Sequence, residues 1–246
     1  MSVGKTVLNG VRLGVTPNFE VIGIQNIDGN APSIIKDQQG SSRKLSLELT
    51  AMINRLNNRM VPTRGYKITS SLEFSSLDVD MIKFVAKGTR YHTVFNFPDW
   101  RGKHVLSYGG TLGMIEATSD EGIPIFENFF AGGANSIRGF AFRGVGPTDV
   151  ATGEQIGGKA LILATTEYTV PVYSDMVRGA FFVDAGKADT DLNDINFNNF
   201  RATLGFGFRA KVPFMGNSVV AIDFGFPFIR KDKDDEQAIT FNFGGR

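Results

Sequence analysis

Cysteine is absent from the 246 residues, and tryptophan occurs once. The lack of cysteine excludes disulfides, thiolate metal sites and cysteine nucleophiles together, but it does not fix the compartment. No run of about 18 apolar residues exists, so the sequence predicts no transmembrane helix. The first residues also lack the apolar stretch of a secretory signal. A formal net charge of +1 argues against a nucleic-acid partner, which usually requires a basic surface.

Glycine and phenylalanine, in contrast, are abundant, with 29 and 22 residues. Proline stays at 9 residues, so the glycine excess does not come from a disordered Pro/Gly tract or a collagen repeat. The length is ample for a buried core in one large all-β domain or in two ordinary domains. The composition therefore indicates a folded protein in which glycine has a structural use.

Apolar residues alternate with polar or small ones along most of the chain, which is the period of a β-strand. The clearest case is 200–212, where Leu204, Phe206 and Phe208 share one face while Thr203 and Arg209 share the other. The segments 219–228 and 239–244 repeat this pattern, and weaker alternation upstream brings the total to about eleven strands. The first two, Thr6 to Val15 and Phe19 to Ile27, are predicted to flank a turn at Thr16-Pro17-Asn18.

The connections between these strands tend to alternate between long and short. Long loops and short turns joining strands that are apolar outside and polar inside are typical of outer-membrane barrels. The sequence therefore predicts an all-β, transmembrane antiparallel β-barrel with about ten to twelve strands present. A soluble sandwich or lipocalin-like barrel would also alternate. The polar face is rich in glycine, threonine and serine, however, which fits a crowded interior better than a solvated surface. The charged run 230–236 is interpreted as a solvated loop.

The longest loop, about 118–158, contains the candidate site. Its segment 128–147, NFFAGGANSIRGFAFRGVGP, is too apolar for a solvated loop, and it has a basic residue, Arg138, bracketed by Ile137, Gly139 and Phe140. A loop folded into the barrel would bury these residues, and its arginine would then need an acid. Glu167 and Asp184 each interrupt an apolar strand and are the two candidates. No nucleophile, phosphate loop or metal-ligand spacing accompanies them, so we expect a structural ion pair in a non-enzymatic protein, with no metal and no cofactor.

The ordered set GGANSIRGF, TTEY, FFVDAG and ITFNFGGR resembles the C-terminal barrel of the BamA superfamily, the outer-membrane assembly factors. The upstream VPTRG also resembles a turn of that family. The resemblance implies that a loop tip, here Arg138, Gly139 and Phe140, tucks into the barrel. It also implies that the arginine contacts acids on the two following strands, here Glu167 and Asp184.

The resemblance further implies an integral outer-membrane protein that inserts or translocates proteins through a weak seam between its first and last strands. On the last strand, Phe241 and Phe243 would face lipid, and Gly244 would weaken the terminal pairing. The expected partners are outer-membrane lipids, unfolded outer-membrane or secreted proteins, and subunits of an assembly complex.

The chain differs from that family in length. Family members carry soluble POTRA domains before a sixteen-stranded barrel, whereas this sequence predicts a single barrel domain, 1–246, without a POTRA domain. It is therefore interpreted either as part of a sixteen-stranded barrel or as an unusually small member. The alternative function is a passive pore or structural surface-antigen barrel without insertase activity.

Overall fold

The structure is a computed structural model that describes residues 3–8, 10–98, 102–120, 122–173, 176–190, 199–212 and 218–243. Within these ranges the regular secondary structure is almost entirely β-strand. The strands are β1 (Val3–Leu8), β2 (Val11–Ile24), β3 (Gly40–Asn54), β4 (Gly65–Leu77), β5 (Met81–Asn96), β6 (Lys103–Ala117), β7 (Gly139–Phe140), β8 (Ala160–Tyr173), β9 (Val177–Asp189), β10 (Arg201–Val212), β11 (Ser218–Ile229), β12 (Glu236–Gln237) and β13 (Ile239–Phe243).

Eleven of these strands form one antiparallel sheet in the order β1-β2-β3-β4-β5-β6-β8-β9-β10-β11-β13. Each strand lies beside its sequence neighbour, apart from β7 and β12, which form a separate two-stranded pair. The predicted fold class and strand number are thus confirmed. We call the end with the short connections at 55–64 and 174–176 the turn end, and the end with the connections at 118–159 and 230–238 the loop end.

The alternation of side chains along each strand gives the sheet one apolar and one mixed face. Exposed large apolar residues recur at every second position along parts of β3, β10 and β13, while residues of the opposite parity are buried or half-buried. Such a band is unfavourable in water but is the lipid-facing surface of an outer-membrane barrel. Its members on these three strands are Leu45, Leu47, Leu49, Leu204, Phe206, Phe208, Ile239, Phe241 and Phe243.

The predicted turn at Thr16-Pro17-Asn18 is wrong. Strand β2 runs through it without interruption, with Pro17 opposite Leu47 on β3. Proline lacks the N–H that a central strand must donate, so it is confined to sheet edges. Pro17 lies beyond Val15, the last β2 residue that pairs with a described residue of β1. No described residue of β1 pairs with Pro17, so the described ladder does not require the N–H that proline lacks.

The two edges of the sheet are β1 and β13, and no backbone pairing joins them within the described ranges. Strand β13 is only five residues long and pairs with β11 from Phe243↔Val220 to Ile239↔Phe224. The structure describes one short α-helix, Ser33–Lys36, and one 3₁₀ turn, Ile125–Glu127. No helix in the described part of the chain is long and apolar enough to cross a membrane.

Candidate functional site

The long loop between β6 and β8 folds against the inner face of the sheet. Isolated bridges pair Phe129 with Gly158 and Ala131 with Val145. Ala131, Ile137, Phe140 and Val145 are fully buried and pack in one apolar cluster with Met81, Ile115 and Leu161 from the strands. The loop therefore has backbone hydrogen bonds of its own and contributes side chains to the apolar core.

At the tip of this loop, Arg138 is completely buried and surrounded by acids. Its Nε donates to Asp184 Oδ2 at 2.7 Å and its Nη2 to Asp184 Oδ1 at 2.9 Å, a bidentate pair. Its Nη1 donates to Glu167 Oε2 at 2.6 Å. The guanidinium carbon also lies 3.4 Å from the centroid of the Phe182 ring. The structure therefore brings together the arginine and both acids singled out in the sequence.

A second arginine and a third acid belong to the same network, and the sequence reasoning missed both. Arg209 on β10 donates to Glu167 Oε2 at 2.7 Å and to Asp223 Oδ1 at 2.6 Å. Asp223 on β11 also lies 3.5 Å from Arg138 Nη1. Parity could have found them, because Arg209 and Asp223 sit on the inward face of their strands. Two arginines thus face three carboxylates, and every charge has a partner, as burial requires.

Glycine allows the loop tip to lie directly on the sheet. Gly139 has φ +90, and a Cβ there would lie 2.8 Å from Thr203 Cγ2. On the opposing strand, a Cβ at Gly225 would lie 2.5 Å from the Gly139 nitrogen and 2.7 Å from its Cα. Two glycines therefore face each other where the loop backbone crosses β11. This close approach allows the Arg138 side chain to reach the acidic side chains on the strands.

The tip also pairs with the last long connection of the chain. Phe140 and Gly139 on β7 lie opposite Glu236 and Gln237 on β12. The interpretation of 230–236 as merely a solvated loop is wrong for part of the run. The side chain of Asp234 is buried in a salt bridge with Arg201 at 2.7 Å. The backbone of this connection supplies a partner strand to the tip.

The base of the loop is bonded to strands β3 and β5, away from the strands that hold the loop tip. Glu127, in the 3₁₀ turn, accepts from Lys44 Nζ on β3 at 2.6 Å and from Lys83 Nζ on β5 at 2.9 Å. Burial raises the pKa of the Glu127 carboxyl, but hydrogen bonds and charge from the two lysines outweigh it and hold that pKa below its ordinary value. The loop is therefore bonded to strands on both sides of the interior.

Comparison with known protein families assigns the chain to a family. The model of the Omp85 superfamily domain matches residues 3–246. The chain belongs to the Omp85 superfamily. This confirms the resemblance to the BamA superfamily barrel and identifies an integral protein of the outer membrane.

Individual relatives agree with this assignment. This Omp85 domain is 26% identical to the outer membrane protein assembly factor BamA of Neorickettsia risticii over 98% of the chain, and 28% identical to that of Nitratidesulfovibrio vulgaris over 87%. It is 26% identical over 62% of its length to a sorting and assembly machinery component 50 homolog of Xenopus tropicalis. The chain spans between 26% and 33% of the length of these relatives.

A solved structure supports the fold independently. The crystal structure of Haemophilus ducreyi BamA lacking POTRA domains 1-3 superimposes with a TM-score of 0.79 at 18% identity. The match covers 98% of this Omp85 domain and 52% of that chain.

The residues predicted at the end of the chain lie apart from the arginine network. Phe241 and Phe243 are exposed on β13, and Gly244 lies outside the described residues. Asn242, between the phenylalanines, donates to Asn135 Oδ1 of the long loop at 2.8 Å. Within the described part of this Omp85 domain, no group of three or more His, Asp or Glu residues is placed to hold a metal ion.

Replacing Glu127 with glutamine is expected to loosen the loop base and to lower stability by about 1 kcal/mol at neutral pH. A depressed carboxylate pKa contributes stability above the pKa of the unfolded state, and this contribution is lost as the pH falls through the folded pKa. The difference between parent and variant should therefore shrink on acidification. Loss of the SDS-resistant folded form with temperature, measured at neutral and acidic pH, checks this, with the exposed Glu154→Gln as control. An equal difference at both pH values would contradict the assignment.

Proposed function

We propose that residues 1–246 act as one outer-membrane barrel domain that assists the insertion or translocation of other proteins. The family match over residues 3–246 carries this proposal. Relatives named as outer membrane protein assembly factors share the match across most of the chain. The proposed action is non-enzymatic and uses no cofactor.

The proposed route is a lateral seam at the edges β1 and β13. An edge strand presents unpaired N–H and C=O groups that can template an incoming strand. The short pairing of β13 with β11 supports a weak terminal strand. Exposed Phe241 and Phe243 would keep that strand in contact with outer-membrane lipids, while Gly244 would weaken its end.

The long loop, 118–158, has the proposed role of an internal brace. Arg138, Gly139 and Phe140 would hold its tip against β8, β9 and β11, with Glu167 and Asp184 as the acids. Because the loop also touches β13 through Asn135, the brace would connect the interior to the seam. The expected partners are unfolded outer-membrane or secreted proteins and the subunits of an assembly complex.

Reconstitution into liposomes tests this function. An unfolded small outer-membrane barrel is added, and its folded, SDS-resistant form is followed with time. We expect faster folding than with empty liposomes, and a reduced rate for Arg138→Ala at equal amounts of inserted protein. Rates equal to those of empty liposomes would reject the insertase.

The second candidate is a passive pore, which is favoured by the cavity of about 400 Å³ inside the sheet. Planar-bilayer conductance without accelerated folding would support this candidate. Accelerated folding by the parent protein would reject a purely passive role.

A further inference from the structure

The outward-facing surface of the sheet changes in character towards the turn end. On β4, β5, β6 and β8 most outward positions nearer the loop end carry apolar or small side chains, as at Phe74, Ile82 and Leu112. Nearer the turn end the same face carries hydroxyl, imidazole and guanidinium groups. We call these residues the polar belt, and they are Tyr66, Arg90, His92, His104, Tyr108 and Tyr168.

The polar belt contains both histidines of the chain and three of its five tyrosines. Tyrosine is typical of the level at which a membrane protein passes from the hydrocarbon to the headgroups, because its ring is apolar and its hydroxyl is polar. Tyr66 is the second residue of β4 and His104 is the second residue of β6, and both strands begin at the turn end. The polar belt is therefore placed at the expected level of the phospholipid headgroups.

Hydrogen bonds and ring stacking hold the side chains of the polar belt in place. His104 Nδ1 lies 2.9 Å from the Tyr168 hydroxyl oxygen. His92 Nε2 lies 3.3 Å from the Tyr108 hydroxyl oxygen, and the two rings stack with their centroids 5.7 Å apart. An ordered group of rings thus lies beside Arg90.

Arg90 is the one arginine or lysine at an outward position of β4, β5, β6 and β8, each of which is described throughout its length. It is exposed, and its Nε donates to His92 Nε2 at 2.9 Å. In the described part of the chain, no carboxylate forms a salt bridge with Arg90 and no group accepts a hydrogen bond from its two terminal nitrogens. These N–H groups are therefore available to a ligand with acceptor oxygens.

The chemistry around Arg90 matches a phosphate at the membrane surface. An unpaired charge on the lipid-facing side of a barrel is unfavourable at the bilayer midplane and is tolerated near the headgroups. A guanidinium binds phosphate oxygens through two parallel N–H groups. Tyr66 and Tyr108 are the register partners of Arg90 on either side. This row therefore offers one cation and two hydroxyl groups to a single phosphate.

Next to this row, towards the loop end, the outward surface is shallow. Gly88, Gly110 and Ala164 pair in register at the next outward position after Arg90. A Cβ added at Gly88 would have only Ile68 Cγ1 within 4 Å, at 3.8 Å, so the space above Gly88 is open. This row of small residues leaves room for an acyl chain whose phosphate lies at Arg90.

We propose that Arg90, with Tyr66 and Tyr108 on either side, binds the phosphate of an anionic phospholipid at the turn end of the barrel. An acyl chain of the same lipid lies over Gly88 and Gly110. The lipid supplies the negative charge that no described protein group supplies to Arg90. The polar belt is continuous with the lipid-facing surface, which favours a lipid over a protein subunit as the occupant. The site depends on the membrane location of this Omp85 domain and is independent of the insertase function.

Native mass spectrometry of the folded protein in nonionic detergent, with dioleoylphosphatidylglycerol added in increasing amounts, tests the site. We expect one phosphatidylglycerol to be retained per chain before any second. Arg90→Gln should bind it about tenfold or more weakly, because charge-assisted hydrogen bonds to the phosphate are lost. Arg90→Lys should give an intermediate loss, since lysine keeps the charge but not the bidentate geometry. Heat-modifiable migration in SDS gels verifies that every variant is folded.

Lys103→Gln is the matched control. Lys103 is exposed at the same end of β6 but has the opposite parity to His104, so its replacement removes the same charge from the other face and should leave binding unchanged. Dioleoylglycerol, which has the same acyl chains without the phosphate, should bind the parent protein about tenfold or more weakly than the phospholipid. Equal retention of phosphatidylglycerol by the parent and Arg90→Gln would overturn the proposal and leave the polar belt to a protein subunit. An equal loss in Lys103→Gln, or equal binding of the two lipids, would overturn it as well.

Discussion

Arg138→Ala is expected to release the long loop from the sheet and to destabilise the folded barrel by about 3–5 kcal/mol, the usual cost of removing one partner of a buried ion pair. Asp184 would lose two side-chain hydrogen bonds in a site with no exposure. Glu167 and Asp223 would be left with Arg209 alone. Three carboxylates facing one cation in a buried site leave uncompensated charge, which favours movement of the loop out of the interior and admission of water.

The temperature at which the SDS-resistant form is lost measures this change, and limited proteolysis within 118–158 reports loop release. Arg143→Ala is the control, because Arg143 belongs to the same loop, is exposed and stacks on Phe130. Arg138→Lys should give an intermediate loss, since lysine keeps the charge but not the bidentate geometry. If Arg138→Ala and Arg143→Ala behaved alike, the buried network would not be what holds the loop.

Gly225→Ala should displace the loop tip without removing any charge. The added methyl group would meet the nitrogen and Cα of Gly139 at 2.5 and 2.7 Å and the Arg138 carbonyl carbon at 2.9 Å. These are backbone atoms, so no side-chain rotation relieves the overlap. We expect a loss of about 1–3 kcal/mol, as for other overpacked sites, together with protease sensitivity in the loop.

Gly88→Ala provides the matched control for this substitution. Gly88 is also a strand glycine, but its added methyl group would have only Ile68 Cγ1 within 4 Å, at 3.8 Å. The same thermal and proteolytic measurements apply to both variants. Equal behaviour of the two would show that close contact between tip and sheet does not determine the loop position.

Much of the architecture follows from the sequence because the strand period is local. Alternation at Leu204, Phe206 and Phe208 predicts a strand with one lipid-facing side whatever the partner strands are. The loop tip is predictable for a similar reason, since apolar residues around Arg138 require burial and a buried arginine requires acids. The turn predicted at Pro17 failed because proline is compatible with a turn and also with a strand position at which no neighbour needs its N–H.

The sequence by itself thus determined the approximate strand count, the apolar face of the strands, the buried loop and two of the acids that contact Arg138. Only the tertiary structure decided that Asp223 and Arg209 complete the network, that Glu127 meets Lys44 and Lys83, and that Gly139 lies on Gly225. The contacting pairs Arg209–Glu167, Arg138–Asp223, Glu127–Lys83, Glu127–Lys44 and Gly139–Gly225 are 42 to 86 residues apart in the chain. Periodicity specifies the face to which a side chain belongs, but strand order and register specify which faces meet across the interior.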